Sequence, residues 1–247
     1  MTFGAISYRI HPGHEDEIAE IFSPANFRRA SSPIMRNEAG AVVGKIIGTG
    51  LFVAGDTMVR VIQYDGTLPD VARHMARQTG VREAEERIAP YLAVPRDTST
   101  VDGFLRYFRA STMRCPVQEI IEDHPLARLA ALRDTVQPEL ISRLTARLID
   151  GSLRLTPERL AGHDSRLLAT AVFVQGSTLI RALQYEGDFE DLAEAYAAGR
   201  GPDHERALAP YLAHPRPGTG AALRSGRMRC ISLLSVASLL GIRTALD

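Results

Sequence analysis

The sequence predicts an α+β fold built from two copies of one small unit, and three observations carry that prediction. The stretch Phe52–Gly66 (FVAGDTMVRVIQYDG) returns as Phe173–Gly187 (FVQGSTLIRALQYEG), with eight of fifteen positions identical and four more replaced by close relatives. PYLAVPR at Pro90–Arg96 returns as PYLAHPR at Pro210–Arg216, and Met113–Cys115 returns as Met228–Cys230. The copies are offset by 121, 120 and 115 residues, so they are colinear and nearly constant in spacing, as a duplicated domain requires. Such a fusion recreates within one chain what a symmetric dimer makes from two. The expected division is a first repeat at 1–118 and a second, degenerate repeat with a C-terminal tail at 119–247.

Each element follows from local pattern. Phe3–Ile10 alternates, with Ile6, Tyr8 and Ile10 on one side and Ala5, Ser7, Arg9 and then His11 on the other, which is a strand. His11-Pro12-Gly13 ends it. His14–Phe22 places acids in a first turn and Ile18, Ile21 and Phe22 on one face, a short amphipathic helix. Residues 23–41 are rich in turn formers and read as a loop. Val42–Val53 and Thr57–Gln63 are β-rich runs around Ala54-Gly55-Asp56, the chemistry of a hairpin. Leu68–Gln78 has helical apolar spacing with Pro69 in its first turn. Arg82–Ile88 reads as a further short helix leading into PYLAVPR, a turn fixed by its two prolines. Gly103–Met113 is expected to supply the last strand.

The resulting order, β-α-β-β-α-β, is the ferredoxin-like plan. A sheet of this kind carries its helices on one face, and two units can bury their bare faces against each other as a barrel. The second copy is less distinct at its start. Leu126–Leu132 fits a strand or a helix, Pro138-Glu139 opens a helical stretch, and the tail from Ile231 either extends the last strand or packs as a helix.

Composition narrows the function. Lys+Arg and Asp+Glu both number 29, so no net field draws the chain to nucleic acid or an anionic membrane. No apolar run approaches the ~20 residues of a membrane span. The two cysteines occupy matching points of the repeat, and the N-terminus runs straight into a strand pattern. The expected location is the cytoplasm. No GxGxxG, P-loop, HExxH, GxSxG or CxxC occurs, which leaves softer candidates.

Those candidates are polar residues on apolar elements. Arg60, Gln63 and Tyr64 recur as Arg181, Gln184 and Tyr185. Strand alternation puts Arg60, Ile62 and Tyr64 on one face and Gln63 with Val59 and Val61 on the other. They either hydrogen-bond loop backbone or line a pocket. His74 lies beside the apolar stripe of its helix, exposed or facing a cleft, and His11 shares a strand face with Arg9 and Ser7. Neither histidine has a histidine counterpart in the second copy, so both are free to serve chemistry, and the working pocket is expected within 1–116. His14 reads as a surface residue near a helix start, and no ligand spacing supports a metal.

The segments ISYRIHPGHEDEIAEIF, QYDG, RHMARQTGVREAEERIAPYLAVPRD and FRASTMRC together resemble the SchA/CurD-like domain family, which accompanies bacterial type II aromatic polyketide clusters. The likeness covers most of 1–116 and, more weakly, about 165–230. It implies a dimeric α+β barrel, here formed within one chain, related to small monooxygenases that oxidise anthrones and to polyketide cyclases. The implied activity is tailoring of a phenolic or anthrone-like polycycle by a cofactor-independent monooxygenase, with molecular oxygen as co-substrate. A cyclase, or a non-catalytic polyketide-binding or chaperone subunit, is the alternative. A homodimer or contact with other polyketide enzymes would fit the same setting. In this reading His74, His11 and Arg60 are the catalytic candidates. Gln63, Tyr64, Arg9, Tyr8 and Tyr91 are the candidate substrate-binding residues.

Overall fold

The computed structural model describes residues 1–27, 32–121, 128–155, 165–216 and 221–235. The first repeat contains β1 (Thr2–Arg9), α1 (Glu15–Ile21), β2 (Ile34–Arg36), β3 (Val42–Ala54), β4 (Thr57–Asp65), α2 (Leu68–Ala76), α3 (Thr79–Ile88), α4 (Val101–Ser111) and β5 (Arg114–Ile120). The second contains β6 (Arg128–Thr135), α5 (Ile141–Ile149), β7 (Arg166–Gln175), β8 (Thr178–Glu186), α6 (Phe189–Ala198), α7 (Gly201–Leu208), α8 (Ala221–Gly226) and β9 (Arg229–Ser235). The fold class is α+β, with one antiparallel sheet for each ferredoxin-like repeat.

The last strand of each repeat belongs to the sheet of the other. One sheet runs β1-β4-β3-β2 with β9 also paired to β3, and the other runs β5-β7-β8-β6. The compact units are therefore Met1–Met113 with the described part of Arg229–Asp247, and Arg114–Met228, a different division from the repeats of the sequence. The repeated Met-Arg-Cys marks the exit point. Met113 N–H donates to the Ala5 carbonyl at 2.9 Å and Met228 N–H to Ala131 at 2.8 Å, after which each chain segment leaves for the exchanged strand.

In the first unit the register sets the faces. Pairs Ile6↔Arg60, Tyr8↔Met58, Leu51↔Arg60 and Thr49↔Ile62 put these side chains on the helix side of the sheet. There Ile6, Tyr8, Leu51, Met58 and Ile62 pack with Ile18, Val71, Ile88 and Phe104 from the helices. The opposite face, with Phe3, Ala5, Phe52, Val59 and Val61, is buried as well. In the second unit Val172, Val174 and Leu179 pack against Leu144, Leu148 and Leu208, and Leu132, Leu183 and Tyr185 against Leu192 and Tyr196.

The strand expected over Gly103–Met113 is instead the helix α4. Thr100 caps it, accepting from Gly103 N–H at 3.0 Å, and the buried Phe104 and Phe108 stand one helical turn apart rather than alternating. The edge strand follows it, as β5. Residues 23–41 hold the short strand β2 as well as loop, and residues 28–31 lie outside the described residues. Helix α3 begins at Thr79, three residues before the expected start. At the ambiguous start of the second copy, Arg128–Thr135 is a strand, whereas 126–127 lie outside the described residues. The tail supplies strand β9 to Ser235, and 236–247 are likewise outside.

The glycine that closes QYDG has a backbone reason. Gly66 has φ 110°, and a Cβ there would stand 2.6 Å from the Val43 carbonyl oxygen. Gly66→Ala is expected to cost about 1–3 kcal/mol of unfolding free energy, read as a lower midpoint in urea. An unchanged midpoint would show that the turn accepts a side chain.

Candidate active site

A cleft opens between the helix side of the first sheet and the helices that cover it. Arg60, Ile62, Ile46 and Thr49 form its floor, His74 and Met75 of α2 one wall, and Gln78, Val81, Phe27 and Ser32–Pro33 the rest. Its empty space, open mouth included, is about 570 Å³. The lining is mostly apolar with a few polar groups, as in small-molecule sites.

Two of those polar groups lack a partner. Arg60 is 8% exposed, its Nε makes no hydrogen bond, and its guanidinium stands over the Phe22 ring at 5.5 Å. Thr49 Oγ1, on the same sheet face, is buried without a partner too. Leaving a buried polar atom unpaired costs about 1–3 kcal/mol, and the matching atoms of the second unit, Arg181 Nε and Thr170 Oγ1, are without hydrogen-bond partners too.

His74 completes the group. Its Nε2 lies 3.1 Å from the Ser32 carbonyl oxygen and 3.3 Å from the side-chain nitrogen of Gln78. The carbonyl can only accept, so Nε2 carries the hydrogen in the neutral ring and Nδ1 holds the lone pair. Burial lowers the His74 pKa below its ordinary 6.5, the bond to Ser32 opposes this, and Arg77 adds to it. His74 is thus a neutral imidazole near pH 7, the form that accepts a proton.

Beneath the cleft lies a cluster of buried charge. Glu85 of α3 is ion-paired with Arg96, their side chains 7% and 2% exposed. The Arg96 guanidinium sits 4.7 Å from the Tyr8 ring and 4.3 Å from the Tyr107 ring. Burial pushes the Glu85 carboxyl up while Arg96 and Arg60 pull it down. PYLAVPR therefore does more than fix a turn, since its arginine returns into the core as a counter-ion. The second unit repeats this with one difference. Arg181, the match of Arg60, contacts Glu205 at 2.5 Å and Asp134 at 3.2 Å, while Arg216 contacts Asp134 at 2.9 Å. Tyr196 O–H donates to Glu205 at 2.9 Å. Asp134 faces Leu179 and Tyr8 faces Met58, the equivalent strand residue, so Asp134 occupies the Tyr8 position. Two arginines meet two carboxylates in the second unit. In the first, Glu85 is the one buried carboxylate among the described residues, and its ion pair is with Arg96, Arg60 acting on it only through its field.

Of the residues singled out in the sequence, the structure brings His74 and Arg60 together. The other six stand elsewhere. His11 is exposed beyond β1, its N–H bonded to the Tyr91 carbonyl at 2.9 Å. Arg9 is exposed and paired with Asp56 at 2.8 Å. Gln63 points to the other sheet face, as alternation requires, and donates to Met1 Sδ at 2.7 Å. Tyr64 shares the helix face with Arg60 but is taken up in the core beyond the cleft, and Tyr91 packs on the His14 ring at 5.2 Å. Tyr8 lies under Arg96, in the charge cluster rather than the cleft wall. Sequence reasoning missed Glu85 and Glu205, although they recur at the same offset of 120 as PYLAxPR. It missed Thr49 as well, which recurs as Thr170.

Residues 1–120 and 134–236 match the SchA/CurD like domain. The chain belongs to the SchA/CurD-like domain family. Among relatives of this SchA/CurD-like chain, a 42.8 kDa protein in the whiE locus of Streptomyces coelicolor is 32% identical over 213 residues, covering 83% of this chain and 50% of the relative. The polyketide synthase CurD of Streptomyces cyaneus is 28% identical over 116 residues, 46% of this chain and 29% of its own. The chain spans about half the length, or less, of these relatives. A solved structure of a provisionally named monooxygenase from Fusobacterium nucleatum aligns over 94% of this chain and 93% of its own, with a TM-score of 0.47 and 7% identity.

The charge cluster of the second unit gives a pH prediction. Burial alone would raise the Glu205 carboxyl, but Arg181 and its hydrogen bonds hold it below 4.5. Its stabilising contribution is therefore present above the unfolded carboxyl pKa and is lost as pH falls through the lower folded value. Glu205→Gln should cost about 3–5 kcal/mol near pH 7 and flatten the rise of stability between acid and neutral pH. Urea midpoints against pH would show this, and parallel curves for both proteins would refute it.

Proposed function

We propose that this SchA/CurD-like chain is a tailoring enzyme of aromatic polyketide biosynthesis, a monooxygenase that needs no bound cofactor and acts on a phenolic or anthrone-like polycycle. One observation carries the reading: a neutral histidine and an unpartnered buried guanidinium face the same apolar cleft. The naming of a relative as a polyketide synthase supports the substrate class.

His74 accepts a proton from the substrate, which keeps the electron pair and becomes an electron-rich anion, and Arg60 and Thr49 donate to the oxygen on which the negative charge gathers. The resulting anion passes electrons to molecular oxygen. For a ring methylene the balance is CH2 plus O2 giving C=O plus H2O, with the first C–O bond formed as a hydroperoxide and water leaving with the second oxygen. The apolar walls exclude water from the anion and strengthen its contact with Arg60.

An oxygen electrode with purified protein and an anthrone tests the proposal. One O2 should be consumed per anthrone oxidised, and His74→Ala should lower turnover by about 10²–10⁴-fold with the melting temperature retained. Because protonated His74 cannot accept a proton, kcat/KM should fall on the acid side, at a pH below the ordinary histidine value of 6.5. Product formed equally without oxygen would establish a cyclase instead. A full rate in His74→Ala would remove the base from the scheme.

A further inference from the structure

We propose that the cleft holds its aromatic ligand through an ionised oxygen, carboxylate or phenolate, paired with Arg60, and that Tyr8 is the residue that keeps this position open. The inference rests on the reading of the cleft as the polyketide site and adds what the ligand must carry.

The two units make the argument by comparison. In the second, Asp134 and Glu205 together neutralise Arg181, and Asp134 also reaches Arg216. That guanidinium is closed to any ligand because its own chain supplies the anion. In the first unit the Asp134 position is Tyr8, and Glu85 is taken by Arg96. Burial lifts the Tyr8 phenol to about 12, so it stays uncharged and offers Arg60 no counter-ion. The consequence is a guanidinium, nine-tenths buried, with no ion pair or hydrogen bond among the described residues.

Neighbouring changes follow the same division. His74 is matched by Ala195, and Met75 by Tyr196, whose hydroxyl is spent on Glu205. Gly201, at the Val81 position, has no side chain, and a Cβ there would stand 2.3 Å from the Tyr196 ring. The second unit thus supplies its arginine with carboxylates of its own chain, whereas in the first Arg60 borders the cleft with no ion pair among the described residues. A buried charge is tolerated only when paired, which makes an anionic oxygen the fitting occupant. The walls of Phe27, Ile46, Ile62 and Val81 favour an aromatic body attached to it.

Binding of three probes to the full chain tests this: 1-naphthoate, 1-naphthol and the neutral naphthalene-1-carboxamide, followed by calorimetry. Naphthoate should bind once per chain and about 10–100-fold more tightly than the carboxamide, the range of a hydrogen-bonded charge. Arg60→Gln should remove that advantage and leave carboxamide binding as it was. If phenolate is the natural group, naphthol binding should tighten with rising pH and exceed that of naphthoate. If carboxylate is, naphthoate should remain the tighter. Tyr8→Asp and Tyr8→Asn disturb packing alike and differ in charge. The aspartate variant should bind naphthoate at least about tenfold more weakly than the asparagine variant. Equal affinity for naphthoate and carboxamide, an unaffected Arg60→Gln, or matching Tyr8→Asp and Tyr8→Asn would overturn the proposal. So would a failure of all three probes to bind. Should naphthoate bind as expected while no anthrone consumes oxygen, the anion site stands and the oxygenase reading falls.

Discussion

An arginine placed near the centre of a strand buried along nearly all its length is a demand that the rest of each unit must meet. Removing a guanidinium from water costs several kcal/mol even after relaxation, so each unit has to provide compensating negative charge or aromatic faces. The second unit meets the demand with two carboxylates reaching Arg181 from β6 and α7. The arginine of PYLAHPR, Arg216, pairs with the β6 carboxylate, Asp134. The first unit keeps the glutamate of α3 and the arginine of PYLAVPR, but its strand β1 presents a tyrosine instead of an aspartate. This single exchange leaves Arg60 with a charge and the cleft with an electrostatic character. His74, Thr49 and the apolar walls are arranged around that charge.

Duplication explains how such a difference arises without loss of fold. The exchanged strands β5 and β9 make each sheet depend on both repeats, so neither repeat can be discarded. Within that dependence the two helix faces are free to diverge. One pairs its buried charges with each other, through Glu205, Arg181 and Asp134, with Tyr196 donating to Glu205. The other leaves Arg60 without an ion pair among the described residues, while Nε of both arginines and Oγ1 of both Thr49 and Thr170 lack hydrogen-bond partners. A half whose central arginine is ion-paired within the chain and a half whose central arginine is not are what the trade between stability and function leads one to expect.

Much of the fold was legible because it rests on local pattern: alternation for β1, β-rich runs around a turn for β3 and β4, first-turn residues and helical spacing for α1 and α2, and a repeat that fixes the second unit. The α4 helix was misread because aromatic and β-branched residues in Gly103–Met113 suggested a strand. The four-residue step from Phe104 to Phe108 and the Thr100 cap settle it as a helix. Strand exchange was invisible, since a sequence shows that a segment is a strand and not which sheet receives it. In the site, Arg60 and His74 stood out as polar residues on apolar elements. The Tyr8–Asp134 correspondence did not, because the offset there is 126 rather than 121 and the flanking residues differ. A buried ion pair also looks like a surface one in sequence, so Glu85 and Arg96 passed as a helix charge and the end of a turn motif.

The most direct test of the account is anomalous diffraction from crystals of the protein soaked in bromide. A halide seeks an unneutralised, partly enclosed guanidinium and is repelled where carboxylates already surround it. The account predicts an anomalous peak within contact of Arg60 in the cleft of the first unit and none against Arg181. Peaks of equal strength at both arginines, or a peak at Arg181 alone, would contradict the claim that the exchange of aspartate for Tyr8 is what opens the site.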